Sequence, residues 1–405
     1  MKKIVIQNLS ITIISKLISF LTFLYIAKIL LKEEYGLYVY KSLILSLLPL
    51  LQLGSMNGII IQLPKWIVNN TEKKDDLFLA YYNISLLIQI ISSSVLFLID
   101  INLHFFTLIS IVFNYILLKH IENITIYLNA NHYFEKANII KFFNQVVRPI
   151  TILIIFFFYK TIDSIFIGQL IATFLTFLII VKIYKFKYKL VFDIEYIKVI
   201  YKIGFFVYLT WAIDILFRSA DRWFISQFYD LKDLAAYGFV SSLALNIWLL
   251  SMSFFSPYTQ LLYRKVAENN YKEVKNIIEN TNKKLYILLG IISVISLISY
   301  PFLLKLILHK YYGTYFLFFV LVLVAILLSI NNMYIYYMIS NNYHFVLLKY
   351  QSFILVLNLV LNSVFSYFHL DIVYFSYSTI LSLLIYFVLV RRYFYYDIKK
   401  RLENR

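Results

Sequence analysis

Residues 203–228 read IGFFVYLTWAIDILFRSADRWFISQF, an apolar stretch with Asp214, Arg218, Asp221 and Arg222 inside it. The stretch exceeds the roughly 18–20 residues that carry a helix across a bilayer. A charge at the centre of such a helix costs roughly 2.5–3.5 kcal/mol on insertion scales, so four of them demand partners or a purpose. At about 100° per residue the four charges share one stripe with Trp211. That stripe faces other helices or a water-filled space, not lipid. Arg218 stands four residues after Asp214 and three before Asp221, so guanidinium and carboxylate can meet on one helix. Two readings follow: a self-neutralised ion network, or guanidinium groups offered to an anion and tuned by the carboxylates. The planar fork of arginine suits phosphate, to which it donates two parallel charge-assisted bonds. Arg222, close to Tyr229 and Asp230, stands nearer the end of the stretch.

The same length criterion applies along the rest of the chain. Long apolar runs fall at residues 4–31, 35–63, 77–99, 105–128, 142–159 and 162–183, and again at 203–228, 234–263, 285–308, 315–339, 346–368 and 372–390. Hydrophobic residues make up 61% of the 405 and charged ones 15%, against about 25% charged in soluble domains. The sequence therefore predicts an all-α integral membrane protein of about twelve transmembrane helices. The first run is too long for a secretory signal core and has no small-residue cleavage site, so it reads as a retained span.

The net charge of +17 lies mostly in the breaks between runs, which makes it a topology signal and not a nucleic-acid surface. Lys2, Lys3, Lys65, Lys73, Lys74, Lys136, Lys141, the lysines of residues 182–202, those of 264–284 and the basic residues of 391–405 all occupy alternate connections. The opposite connections hold little beyond Lys32, Lys160, Lys232 and Lys310. Both termini are predicted to be cytoplasmic. Residues 182–202 and 263–284 read as interfacial helices on an anionic leaflet.

Tyr35-Gly36 and Tyr237-Gly238 lie within similar segments 202 residues apart, half the chain length. A parallel internal repeat predicts two six-helix lobes, residues 1–190 and 191–405, around a central cavity. In the first run Asn8, Thr12, Lys16 and Ser19 form a polar face, and Lys16 lies too deep to reach the interface easily. If the halves correspond, Lys16 and Arg218 face one space. The fourth run carries Tyr115, Lys119, Glu122 and Asn123 on one face, with Lys119 and Glu122 spaced to pair. Arg148 precedes Pro149 and reads as an interface anchor or a cavity mouth. Asn331, Asn332, Asn341, Asn342, Asn358 and Asn362 read as interhelical hydrogen-bonding groups.

Chemistry of other kinds is not encoded. There is no GxxxxGK[ST] loop, the six histidines show no HExxH spacing, and the absence of cysteine removes thiol and zinc-thiolate chemistry. Neither a cofactor nor a metal is expected, and no enzyme activity. Gly54-Ser55-Met56-Asn57-Gly58 carries Met where a nucleophile elbow needs Ser, and reads as a helix-loosening segment.

Together with the two-lobe layout, two segments carry a family likeness: Leu31-Lys32-Glu33-Glu34-Tyr35-Gly36, and Ala220-Asp221-Arg222-Trp223-Phe224-Ile225 followed by Ala236-Tyr237-Gly238. The chain resembles the O-antigen and polysaccharide flippases (Wzx-type) of the multidrug/oligosaccharidyl-lipid/polysaccharide exporter superfamily. The resemblance implies a multi-pass protein of the cytoplasmic membrane. It would flip a polyprenyl-diphosphate-linked oligosaccharide, an O-antigen or capsule repeat unit, by alternating access. It further implies Lys16, Arg218 and Arg222 as contacts to the cargo, with Asp214 and Asp221 as their partners or as proton- or sodium-coupling groups. Lys119 and Arg148 complete the candidate substrate contacts, and Glu122 the candidate charge partners. The expected partners are the lipid-linked oligosaccharide, membrane lipids and other glycan-assembly membrane proteins. Two alternatives stand beside this: a cation-coupled multidrug exporter of the same fold, and a membrane glycan polymerase. The five cationic against three acidic inner residues favour an anionic cargo over the first, and the lack of a long outer loop disfavours the second.

Overall fold

A computed structural model describes residues 2–69, 73–99, 105–183 and 189–403, within which every regular element is a helix. Lys185, Lys187, His104 and Arg405, and the side chains of Lys2, Lys3, Asn8, Thr12 and Lys65, lie outside the described residues. The elements are α1 (Lys2–Ile29), α2 (Lys32–Leu47), α3 (Ser55–Asn69), α4 (Lys74–Ile99), α5 (Phe105–Ala130), α6 (Phe134–Phe142) and α7 (Arg148–Tyr159). They continue as α8 (Ile162–Ile183), α9 (Ile194–Phe228), α10 (Leu231–Ala267), α11 (Tyr271–Leu306), α12 (Tyr315–Ser340), α13 (His344–Tyr367) and α14 (Val373–Glu403). Among the described residues eight helices are long and apolar enough to cross a membrane, or ten if each of two bent pairs counts as one span. The chain is a multi-pass membrane protein.

The departures from straight spans have local causes. Pro49 opens a 3-10 turn at Leu48–Gln52, Leu53 and Gly54 follow at positive φ, and the chain bends by 55° between α2 and α3. The loosening expected at Gly54–Gly58 is this bend. Pro149 lacks an N–H and its ring would strike the preceding turn, and the helix widens into a π-type turn at Phe143–Val147 between α6 and α7. The predicted interfacial helix of the basic linker is continuous with α9, which bends by 50° near Gly204. That of residues 263–284 is likewise continuous with the next span: Asn270 caps α11 by accepting from the Glu273 N–H at 3.2 Å, and Tyr271, Val274 and Ile278 are buried.

The chain forms two compact units, Met1–Leu31 with Ile44–Leu209, and Lys32–Leu43 with Thr210–Arg405. The division passes through α2 and α9, beyond the linker at which hydropathy divides the chain. In the first unit, Ile59, Leu63, Phe78, Tyr81, Ile121 and Ile124 form the heart of the core. There the two bends touch. A Cβ on Gly204 would lie 2.3 Å from the Gly54 carbonyl oxygen, so only glycine permits the approach.

In the second unit α2 and α10 cross at the repeated Tyr-Gly pair. A Cβ on Gly36 would meet the Leu231 carbonyl oxygen at 1.9 Å, and one on Gly238 would meet Val39 Cγ1 at 2.6 Å. Tyr35 packs edge-on against Phe239 and Tyr311, which stack on each other at 4.2 Å. The sequence repeat therefore marks two segments that pack against one another, each glycine admitting the other helix.

Candidate functional site

α9 brings its four charges into the interior of the second unit, where α10, α12, α13 and α14 surround them. Arg218 pairs with Asp214, one turn earlier, at 2.5 Å. Its guanidinium carbon lies 5.0 Å from the centroid of the Trp248 ring on α10, a cation–π arrangement. Arg218 Nε is buried and has no hydrogen-bond partner.

Asp221 takes a different course. Buried at 7% exposure, it forms no ion pair among the described residues, although Arg218 and Arg222 both lie on its helix. Its oxygens accept from Tyr237 Oη at 2.5 Å, Thr379 Oγ1 at 2.7 Å and Asn362 Nδ2 at 3.0 Å. These donors are themselves held in place. Asn362 Nδ2 also reaches Asn358 Oδ1 at 3.2 Å, and Asn358 Nδ2 donates to Ser378 Oγ at 3.0 Å and Thr379 Oγ1 at 3.1 Å. Ser378 Oγ in turn donates to Asn362 Oδ1. Asn358 and Asn362 are thus interhelical links, as their place in apolar runs predicts.

With Asp221 held by neutral donors, Arg222 is left over. It is half-buried and makes neither an ion pair nor a hydrogen bond among the described residues. Arg218, Asp221 and Arg222, with Tyr237, Ser241 and Thr379, line a cavity of about 480 Å³, its open mouth included, walled on the far side by Leu321, Val324 and Ala325. The fully self-neutralised stripe that the spacing allows is not what forms. One pair closes, and one guanidinium remains to face the cavity.

The other candidates belong to the first unit. Lys119, nearly buried, pairs with Glu122 on its own helix at 2.5 Å, as the spacing predicts. Beside them Tyr81 Oη donates to Asn123 Oδ1 at 2.5 Å, and Tyr82 and His120 are hydrogen-bonded. Arg148 donates to Gln169 Oε1 on α8 at 3.1 Å, so part of its guanidinium is engaged between helices. Lys16 is exposed, flanked by exposed Leu17 and Leu21, and Ser19 on the same helix is exposed too. No group of three or more His, Asp or Glu able to hold a metal occurs among the described residues.

Charge patterning missed Tyr237, Thr379 and Trp248. A signal for one existed: Ser376, Ser378, Thr379 and Ser382 interrupt the apolar run of α14, and all four are buried. Buried hydroxyls at that density inside a span need polar company.

The family described as "Polysaccharide biosynthesis protein" matches residues 25–311. No curated protein matches the chain. Among solved structures it is similar to the lipid II flippase MurJ in an inward closed conformation, with TM-score 0.71 and 16% identity over 95% of this chain and 86% of that one. It is also similar to an inward-facing multidrug resistance MATE family transporter of the MOP superfamily, with TM-score 0.66 and 12% identity over 98% and 99%. The Vibrio cholerae MATE transporter VcmN matches with TM-score 0.63 and 14% identity over 96% and 97%. At such identities the likeness concerns the fold, which is that of these transporters.

Proposed function

The chain belongs to the polysaccharide biosynthesis protein family, and from that premise we propose that it flips a polyprenyl-diphosphate-linked oligosaccharide, an O-antigen or capsule repeat unit, across the cytoplasmic membrane by alternating access. The observation that carries the reading is Arg222, a guanidinium with no partner of its own beside Arg218 in an intramembrane cavity. An unpaired cation inside a membrane span is costly, and an anion that shares the cavity lowers the cost. A diphosphate supplies that anion, while the polyprenyl tail remains in lipid.

The proposal keeps twelve spans with both termini in the cytoplasm, following the alternation of basic connections. It keeps Lys16 as a candidate contact to an anionic cargo, and transport in place of catalysis. Asp221 is the coupling group: a proton or a sodium ion there would cancel a charge now held by neutral donors alone. The membrane potential can supply about 2.3 kcal/mol per charge per 100 mV. Lys119 and Arg148, spent on Glu122 and Gln169, take a supporting role.

The test is surface glycan in cells that depend on this chain. Arg222→Ala and Arg218→Ala should abolish it while protein abundance stays at the wild-type level. Normal surface glycan in both variants sinks the proposal. Asp221 and the MATE-like fold favour one second reading, a cation-coupled multidrug exporter. Drug efflux abolished by Asp221→Asn and unaffected by Arg222→Ala would select it.

A further inference from the structure

The first cavity has a neighbour. α9, α10, α12, α13 and α14 enclose a second space of about 450 Å³, its mouth included, lined by Asp214, Trp248, Asn331, Asn332, Gln351 and Tyr386. Phe217 and Leu328 line both cavities. The Asp214–Arg218 pair also straddles them, with the arginine bordering the first and the aspartate the second.

The polar groups here are unlike those around Asp221. Asn331, at 1% exposure, donates only to the Leu327 carbonyl of its own helix, and its Oδ1 is buried with no partner. Gln351 Oε1 and Tyr386 Oη are buried against one another and have no other partner among the described residues. Asn332 reaches only a thioether, Met252 Sδ at 3.1 Å. Each orphaned group of this kind costs about 1–3 kcal/mol, and apolar residues of equal size would cost nothing. Asn331, predicted as an interhelical link, links no helices through its amide. An uncompensated amide oxygen on Asn331, beside a Gln351–Tyr386 pair that has no partner but itself, points to something that enters the space.

The chemistry of the lining narrows the guest. Asp214 is occupied by Arg218, so the cavity offers neither a free carboxylate to a cation nor a free guanidinium to an anion. What remains is three amides and a phenol, which accept from and donate to neutral hydroxyl and acylamido groups, beside apolar walls such as Ile335 and Leu383. From Asp214 to Arg222 the helix rises roughly 12 Å, about the span of a diphosphate and one attached ring.

We propose that this second cavity is a subsite for an uncharged hexopyranose ring, read by Asn331, Gln351 and Tyr386 while Arg218 and Arg222 hold the adjoining diphosphate. The subsite rests on the anionic-cargo reading above and adds to it the part of the cargo that carries specificity.

The experiment compares geranyl diphosphate with its N-acetylglucosaminyl and galactosyl conjugates on the full chain in nanodiscs. Binding is read from tryptophan fluorescence, Trp248 being in the site, and from calorimetry. At least one conjugate should bind about tenfold more tightly than geranyl diphosphate. Asn331→Leu with Gln351→Leu should bring that ratio within about twofold of unity and leave the affinity for geranyl diphosphate unchanged. Tyr386→Phe should reduce the ratio about threefold. The melting temperature should not fall in any of these variants, since each removes an orphaned group. Equal binding with and without sugar in the wild type, an unchanged ratio in the double variant, or a lowered melting temperature for Asn331→Leu overturns the subsite and leaves the diphosphate site standing. Failure of geranyl diphosphate itself to bind overturns the anionic-cargo reading, and the subsite with it.

Discussion

In the first compact unit the buried Lys119 is neutralised by its neighbour Glu122; in the second, Arg222 is left over. Lys119 ends on Glu122, a closed ion pair, and Arg148 donates to the neutral amide of Gln169. On α9 the spacing offers the same economy, since Arg218, Asp221 and Arg222 lie within one turn or so of each other. Yet Asp221 turns to Tyr237, Thr379 and Asn362, and Arg222 goes without. The difference teaches that charge spacing on a helix states what can pair, while packing decides what does. A protein that needed only to hide these charges could have closed both pairs, as α5 closes its own.

The contrast can be broken first at Asp221. Replacing it with Leu strands three donors at once and should destabilise the protein by about 2–5 kcal/mol, read as a fall in melting temperature in detergent. Asp221→Asn keeps an acceptor in place and should lose transport while keeping most of the stability. Equal stability of the Leu variant and the wild type would show that the polar cage is dispensable.

Arg222→Ala comes next. Loss of one charge-assisted contact, worth about 1.5–3 kcal/mol, should weaken diphosphate binding about 10- to 100-fold with the melting temperature unchanged or raised. A marked fall in stability would place Arg222 among the consumed charges and erase the contrast between the units.

A smaller effect is expected at Lys119. Lys119→Met alone should cost about 1–2 kcal/mol by leaving Glu122 unpaired, and adding Glu122→Gln should recover most of it in a double-mutant cycle. Transport by the double variant should stay within about twofold of wild type, because the pair is structural. A large transport defect there would move the functional charge into the first unit.

The smallest effect lies outside the apolar spans, where Lys265 meets Glu273 at 2.7 Å and Glu268 at 3.0 Å. Hydrogen bonds that it donates to Glu273, then to Glu268, hold the Lys265 ammonium above its ordinary value. Lys265 and then Arg264 hold the Glu268 carboxyl below its own. The lysine's contribution is full below its unfolded value and fades as pH rises through the folded one. The glutamate's is full above its unfolded value and fades as pH falls through the folded one. Stability from this knot should therefore be flat through neutral pH and erode only at the acid and alkaline ends. Because these groups are solvated and screened, Glu273→Gln should barely move a thermal melt at neutral pH.

Much of the architecture could be read directly. The loosening at Gly54 and the Lys119–Glu122 pair are properties of neighbouring residues and have their counterparts in the structure, as do eight to ten of the apolar runs among the described residues; of the α9 stripe Asp221 is buried, while Trp211 is exposed. The Tyr-Gly repeat was visible as a pattern, but its cause, two helices crossing on their glycines, was not. At Arg148 the short range of sequence reading shows: a charge beside Pro149 reads as a span end, whereas the helix widens and continues, and the guanidinium meets Gln169 on the next helix.

Hydropathy, helical period and i,i+4 spacing act over a few residues, so the chain alone determined that it would be a bundle of membrane helices with charges along one of them. The fate of those charges depended on groups far away in sequence: Asp221 is satisfied from positions 16, 141 and 158 residues distant, on three other helices. Only the packed bundle could set those donors around the carboxylate and leave Arg222 and Asn331 short of partners. Hydrogen bonds reach about 3 Å, and which groups come that close is a property of the fold.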